Sequence, residues 1–109
     1  MKTYRGQRTG YAVDVTVDGR ALDPRFDLWI HSPTGFEWGY GGSGPAQLAL
    51  AVLADHLADD HEALEFYQRF KFAVIGSLPL KSWELTTREI ARVLQTIREH
   101  ERVRGGQPC

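Results

Sequence analysis

Between Pro45 and Leu57 the chain reads PAQLALAVLADHL, apolar on nearly every side of a helix except at Gln47, Asp55 and His56. A helix with no polar face has to be covered, so this one is expected to be largely buried. Pro45 suits a first helical position, where its missing donor is not needed, with Ser43 or Gly44 as the cap. The chain of 109 residues, 42% hydrophobic and 25% charged, has material for one small core and no second domain. Function therefore sits on one compact body or at an oligomer interface.

The hydrophobic period changes along the chain, from about two over the first forty residues to about 3.6 afterwards. Tyr11 to Val17 alternates Tyr11, Val13, Val15 and Val17 against Ala12, Asp14 and Thr16, and Asp18-Gly19 follows as a turn. Phe26 to His31 and Phe36 to Tyr40 flank Ser32-Pro33-Thr34-Gly35, a type I turn pattern, and are expected to pair as an antiparallel hairpin. Lys2 to Arg5 adds a short edge strand ending before Gly6.

After the buried helix, which runs to about Ala58, a second is expected from Asp60 to about Ile75. It carries Ala63, Phe66, Tyr67, Phe70 and Val74 on one stripe. Phe70 to Ile75 read alone also fits a strand. The last helix opens with Thr86-Thr87-Arg88-Glu89, a capping box in which the Thr86 hydroxyl and the Glu89 carboxylate take up free amides reciprocally. Ile90, Val93, Leu94 and Ile97 form its apolar face. The expected fold is α+β: a small antiparallel N-terminal sheet of three to four strands packed on three C-terminal helices. Residues 1–104 form the single domain, and 105–109 a flexible tail.

The net charge of −1 lacks the basic footprint that usually marks partners such as nucleic acid or a membrane. No apolar run approaches the roughly 20 residues of a membrane span, and the N-terminus has no apolar signal region. Cys109 is the single cysteine, so neither an internal disulfide nor a cysteine-based zinc site is available. These features suit a cytoplasmic protein in a reducing compartment.

The chemistry concentrates in FEWGYGGSGP, Phe36 to Pro45. Gly39-Tyr40-Gly41-Gly42-Ser43-Gly44 matches G-x-G-x-x-G between an expected strand and a helix, the context of a dinucleotide fingerprint. A Rossmann unit also needs a parallel strand after that helix with an acidic residue at its end, whereas Asp59-Asp60-His61-Glu62 reads as a helix junction. The Walker A pattern fails because no Lys-Ser or Lys-Thr follows Gly44. Two readings remain. The glycines let the chain turn from sheet to helix, or the amides of Gly41, Gly42, Ser43 and Gly44 bind a small anionic, nucleotide-like ligand, with Trp38, Tyr40 and Trp29 as stacking surfaces. Trp29, Trp38 and Tyr40 also suit ordinary core or cross-strand packing.

Other groups carry weaker signals. His31 and Glu37 flank the Ser-Pro-Thr-Gly turn and could meet across the hairpin as an acid and base, although two solvent-facing polar residues explain them as well. Asp55, His56, Asp59, Asp60 and His61 stand at helical spacings open to a metal, but caps and solvated polar residues account for them more economically. Arg88, Arg92, Arg98, Arg102 and Arg104 make the last helix basic, interleaved with Glu89, Glu99 and Glu101 in intrahelical pairs. No cofactor or catalytic triad is indicated.

The segment HSPTGFEWGYGGSGPAQLALAVLADHL, followed by YQRFKFAVIGSLP and WELTTREI, resembles a family of small bacterial and phage-associated proteins classed as a domain of unknown function. The resemblance spans about Tyr4 to Leu94 and is most specific from His31 to Leu53. It implies a single α+β domain in an intracellular setting and brings no activity, substrate or catalytic residue. By analogy, small phage-associated proteins act as inhibitors, sponges or accessory factors. The sequence thus supports a non-enzymatic module for a small anionic ligand, or a protein-interaction module using the hairpin face or the basic last helix. A homodimer is compatible with so small a domain.

Overall fold

The computed structural model describes residues 1–105, with side chains through 101. The expected tail lies outside these residues apart from Gly105. Strands β1 (Thr3–Thr9), β2 (Ala12–Val17), β3 (Arg20–Ala21) and β4 (Ser82–Thr86) form one antiparallel sheet in the order β3-β2-β1-β4. Helices α1 (Ser43–Leu57), α2 (Asp60–Ala73) and α3 (Thr87–Gly105) complete an α+β domain, with a 3-10 turn at Ile75–Ser77.

The period of two places Tyr4 on β1, Val13, Val15 and Val17 on β2, and Trp83 and Leu85 on β4 along one sheet face, all in the core or packed against it. The opposite face carries Arg5, Gln7, Asp14, Thr16, Ser82 and Glu84, as suits an antiparallel sheet with one wet side. Helix α1 joins the same core and is buried continuously from Gly44 to Ala54, as its lack of a polar face requires. Asp18 and Gly19 both take positive φ, 50° and 83°, which matches the right-handed twist of a two-residue hairpin and sets Val17 opposite Arg20. The capping box forms as expected: the Thr86 amide donates to Glu89 Oε1 at 3.0 Å and the Glu89 amide to Thr86 Oγ1 at 3.3 Å.

Two strands differ from expectation. Strand β1 is longer than Lys2 to Arg5 and lies inside the sheet, between β2 and β4. Gly6 does not end it, because the Trp83 indole lies across Gly6 and would collide with any Cβ there. The fourth strand is β4, inserted between α2 and α3, where Trp83 and Leu85 alternate with Ser82 and Glu84 over a span too short to stand out beside the capping box. Phe70 belongs to α2, which excludes the alternative strand from Phe70 to Ile75.

The largest difference is the hairpin of Phe26 to His31 with Phe36 to Tyr40, which does not form. Its turn does: the Gly35 amide donates to the Ser32 carbonyl at 3.1 Å. The flanking arms send their backbone groups elsewhere. Gln47, fully buried on α1, accepts from the amides of His31 at 2.7 Å and Ser32 at 3.1 Å. Its Nε2 donates to the carbonyls of Pro24 at 2.7 Å and Trp29 at 3.0 Å. On the other arm the Gly39 amide donates to the Ile75 carbonyl at 3.0 Å. Buried backbone groups must be paired, and here one side-chain amide does for the loop what a second strand would have done.

Replacing Gln47 with Met keeps the volume but strands two donors and two acceptors in the core. We expect a loss of about 2–4 kcal/mol in urea denaturation, with faster hydrogen exchange at the amides of His31 and Ser32.

Candidate functional site

The glycine segment turns the chain from the irregular 22–42 region into α1. Of its glycines only Gly39 takes a positive φ, 86°, while its missing side chain also leaves room for Leu80. Gly44 is required for a different reason: a Cβ there would stand 2.6 Å from Glu37 Cβ and 3.3 Å from the Glu37 amide nitrogen. Gly41 is under neither constraint, since its φ lies outside the left-handed region and a Cβ would meet only Phe72 Cε1 at 3.9 Å.

Gly42 precedes α1, and its carbonyl accepts the first helical bond from the Ala46 amide at 3.0 Å. Among the described residues, no hydrogen bond takes up the amides of Gly41, Gly42, Ser43 or Gly44. Gly41 and Ser43 are exposed and Gly42 is half-buried, whereas Gly44 lies buried under Glu37. The amides of Gly41 to Ser43 thus lack internal acceptors and belong to exposed or half-buried residues at the positive end of the helix dipole.

The nearest carboxylate does not fill this position. Glu37 forms a two-pronged pair with the Arg8 guanidinium, at 3.0 Å and 2.6 Å, and this pair holds its carboxyl below the usual carboxylate range. Arg8 also donates to the Leu80 carbonyl at 3.0 Å and lies 4.9 Å from the centre of the Trp38 ring. One guanidinium from β1 thereby ties the glycine segment to the chain entering β4.

The aromatic side chains divide sharply. Trp38, expected as a stacking surface, is fully buried, donates to the Leu80 carbonyl at 3.0 Å and meets Trp83 edge to face with ring centres 5.7 Å apart. No face of it is left for a ligand, because closing the core over the Arg8–Glu37 pair needs a large apolar filler there. Tyr40 is half exposed and its ring lies across Gly42. Phe72 of α2, which sequence reasoning passed over, is 71% exposed and reaches Gly41. Lys71 lies over the Phe72 ring at 4.2 Å, so a cation from α2 stands at the rim of a loop that contains none. The signal in sequence was only that Phe72 falls off the apolar stripe of α2.

His31 and Glu37 are not brought together. His31 Nε2 hydrogen-bonds the Tyr67 hydroxyl at 2.6 Å, and Trp29 stacks on the imidazole at 5.8 Å. The missing hairpin explains the separation, since the Gln47 clamp directs residue 31 toward α2 while Glu37 faces β1. Among the suggested metal ligands, Asp55 accepts from the Tyr4 hydroxyl at 2.6 Å and from Lys2 at 3.1 Å. Asp59 caps α2 by accepting from the Glu62 amide at 3.1 Å, and Asp60 pairs with Arg25 at 2.8 Å. No three His, Cys, Asp or Glu side chains converge among the described residues. On α3, Arg98 reaches Glu62 of α2 at 3.1 Å, so that part of the basic helix is engaged within the fold.

The family of unknown function DUF6166 matches residues 4–96, from the second residue of β1 to about the middle of α3. The chain belongs to this family. As a DUF6166 member it presents the glycine segment, the Gln47 clamp and the Arg8–Glu37 pair within the matched span. No curated protein and no solved structure matches the chain.

Two outcomes follow from this geometry. Gly41→Ala should leave stability within about 0.5 kcal/mol or raise it slightly, while Gly44→Ala should cost about 1–3 kcal/mol, both read by denaturant titration. The second concerns pH. Burial, aided by Lys71 for His31 and by Lys2 and Arg98 for His56, pushes both histidines below their usual range. The unfolded chain therefore takes up protons near pH 6.5 that the folded chain refuses until lower pH. Stability is fully present above about pH 6.5 and declines as pH falls through the lower folded-state values. Denaturation midpoints measured across that window should fall with acidification, and a His31→Gln, His56→Gln variant should show a shallower fall.

Proposed function

We propose that this protein is a non-enzymatic binding module whose glycine segment takes a small anionic ligand. The observation that carries this reading is the set of amides from Gly41 to Ser43, free of internal acceptors at the start of α1. Helix starts of this kind bind phosphate or carboxylate groups through backbone donors and the dipole. Tyr40 and Phe72 flank Gly41 with exposed rings, so the reading favours an anion attached to a planar group, as in a nucleotide. Lys71 adds a positive charge at the rim. A small phage-associated accessory protein, the setting implied by the sequence resemblance, is compatible with such a sponge-like role.

Catalysis is the weaker reading, because His31 and Glu37 are engaged with separate partners and no second acid-base pair replaces them among the described residues.

Calorimetric titration with a panel of nucleoside mono-, di- and cyclic phosphates tests the proposal. At least one should bind and raise the melting temperature, which follows from mass action on the folded state. Gly41→Leu, which fills the open space beside Phe72, should weaken that binding about tenfold or more while the protein stays folded. Absence of heat and of any thermal shift across the panel would overturn the reading.

A further inference from the structure

We propose that two copies of this chain associate through the outward face of α2 and the 25–31 loop laid along it, as a two-fold dimer in which the two α2 helices run antiparallel. Asp60, Leu64, Tyr67 and Lys71 recur at helical spacing, and Leu64, Gln68 and Phe72 form the adjacent row. The 25–31 loop lies along the first of these rows. Arg25 reaches Asp60 at 2.8 Å at one end, and His31 meets the Tyr67 hydroxyl at 2.6 Å two turns on.

Between these anchors the loop points apolar side chains outward: Trp29 is 58% exposed and Ile30 59%, alongside Phe72 at 71%, with Phe26 and Leu64 partly uncovered. Taking an aromatic side chain at roughly 200 Å², these five leave about 500 Å² of side-chain surface in water. That is well over half of the ~800 Å² each partner contributes to a standard interface, and at the upper limit of what a monomer ordinarily exposes in one patch.

Charge selects the partner and the direction. At the N-terminal end of the face stand Asp27 and Asp60, whose side chains are 64% and 50% exposed although they hold Arg25. At the C-terminal end stands Lys71, which pairs with no carboxylate among the described residues and rests on the Phe72 ring. A surface that is acidic at one end and basic at the other complements a second copy of itself turned by a two-fold axis. Placing that axis between Leu64 and Tyr67, midway between Asp60 and Lys71, sets Lys71 of each copy against the acidic end of the other. It also turns Phe72, whose ring lies beside Gly41, toward the partner's loop, so dimer formation and ligand binding compete for Phe72 and Lys71 and the two readings are tested separately, by sedimentation without added nucleotide and by calorimetry.

Sedimentation velocity over a concentration series should show a reversible dimer. Phe72→Glu should weaken association about tenfold or more, as expected for an exposed aromatic anchor. Lys71→Glu should also weaken it, and adding Asp27→Lys should recover part of the loss. In a Cys109→Ser background, Leu64→Cys, beside the axis, should form an intermolecular disulfide under mild oxidation, while Gln95→Cys on the exposed side of α3 should not. A monomer at every concentration overturns the proposal and leaves the face to a different protein. A dimer that survives Phe72→Glu and is cross-linked equally by both cysteines overturns the choice of surface. Unchanged circular dichroism of each variant confirms that association, not folding, is being read.

Discussion

The carboxamide of Gln47 holds the longest irregular segment of the protein against its most buried helix. Two carbonyls and two amides of the 24–32 region converge on it, and all four of its hydrogen-bonding positions toward them are used. A fully buried amide is costly unless satisfied, so the helix and the loop specify each other. The position of the loop in turn decides that His31 meets Tyr67, that Trp29 and Ile30 face outward along α2, and that Glu37 faces β1.

A second clamp works at the other end of the same segment. The Arg8 guanidinium joins Glu37, Leu80 and the Trp38 ring, linking three stretches distant in sequence at one point. With Trp38 buried beneath it, the chain reaches α1 through a corner whose geometry is set by Gly39 and Gly44. At this corner packing leaves unused the amides of Gly41 to Ser43, the exposed faces of Tyr40 and Phe72, and Lys71. The binding reading rests on that residue of unspent donors and uncovered rings.

The extent to which sequence foretold this varied with how local each interaction is. The three helices, the Asp18-Gly19 hairpin turn, the Ser32 to Gly35 turn and the Thr86–Glu89 capping box were legible, because each depends on partners a few residues apart. The strand β4 was harder, since five residues alternate too briefly to distinguish from a helix lead-in until β1 lies beside them. The hairpin from Phe26 to Tyr40 misled for a related reason. Apolar residues and a good turn were present, but no local signal says that the backbone partners of one arm lie in a glutamine on α1. At the candidate site the glycine segment was recognisable and core packing was one of the two readings of Trp38, whereas the arrival of Phe72 and Lys71 was not foreseen.

By itself the sequence determined that a helix without a polar face would form the core, that an antiparallel N-terminal sheet would pack with it, and, to within two residues, where the helices begin. These follow from hydrophobic period, caps and turns, which act over one or two turns of chain. Only the tertiary structure decided which aromatics are buried and which are open, which carboxylate meets which cation, and which amides at the start of α1 stay free. Those outcomes depend on residues such as Arg8 and Glu37 or Gln47 and Pro24, whose meeting is produced by packing and is not encoded in any local pattern.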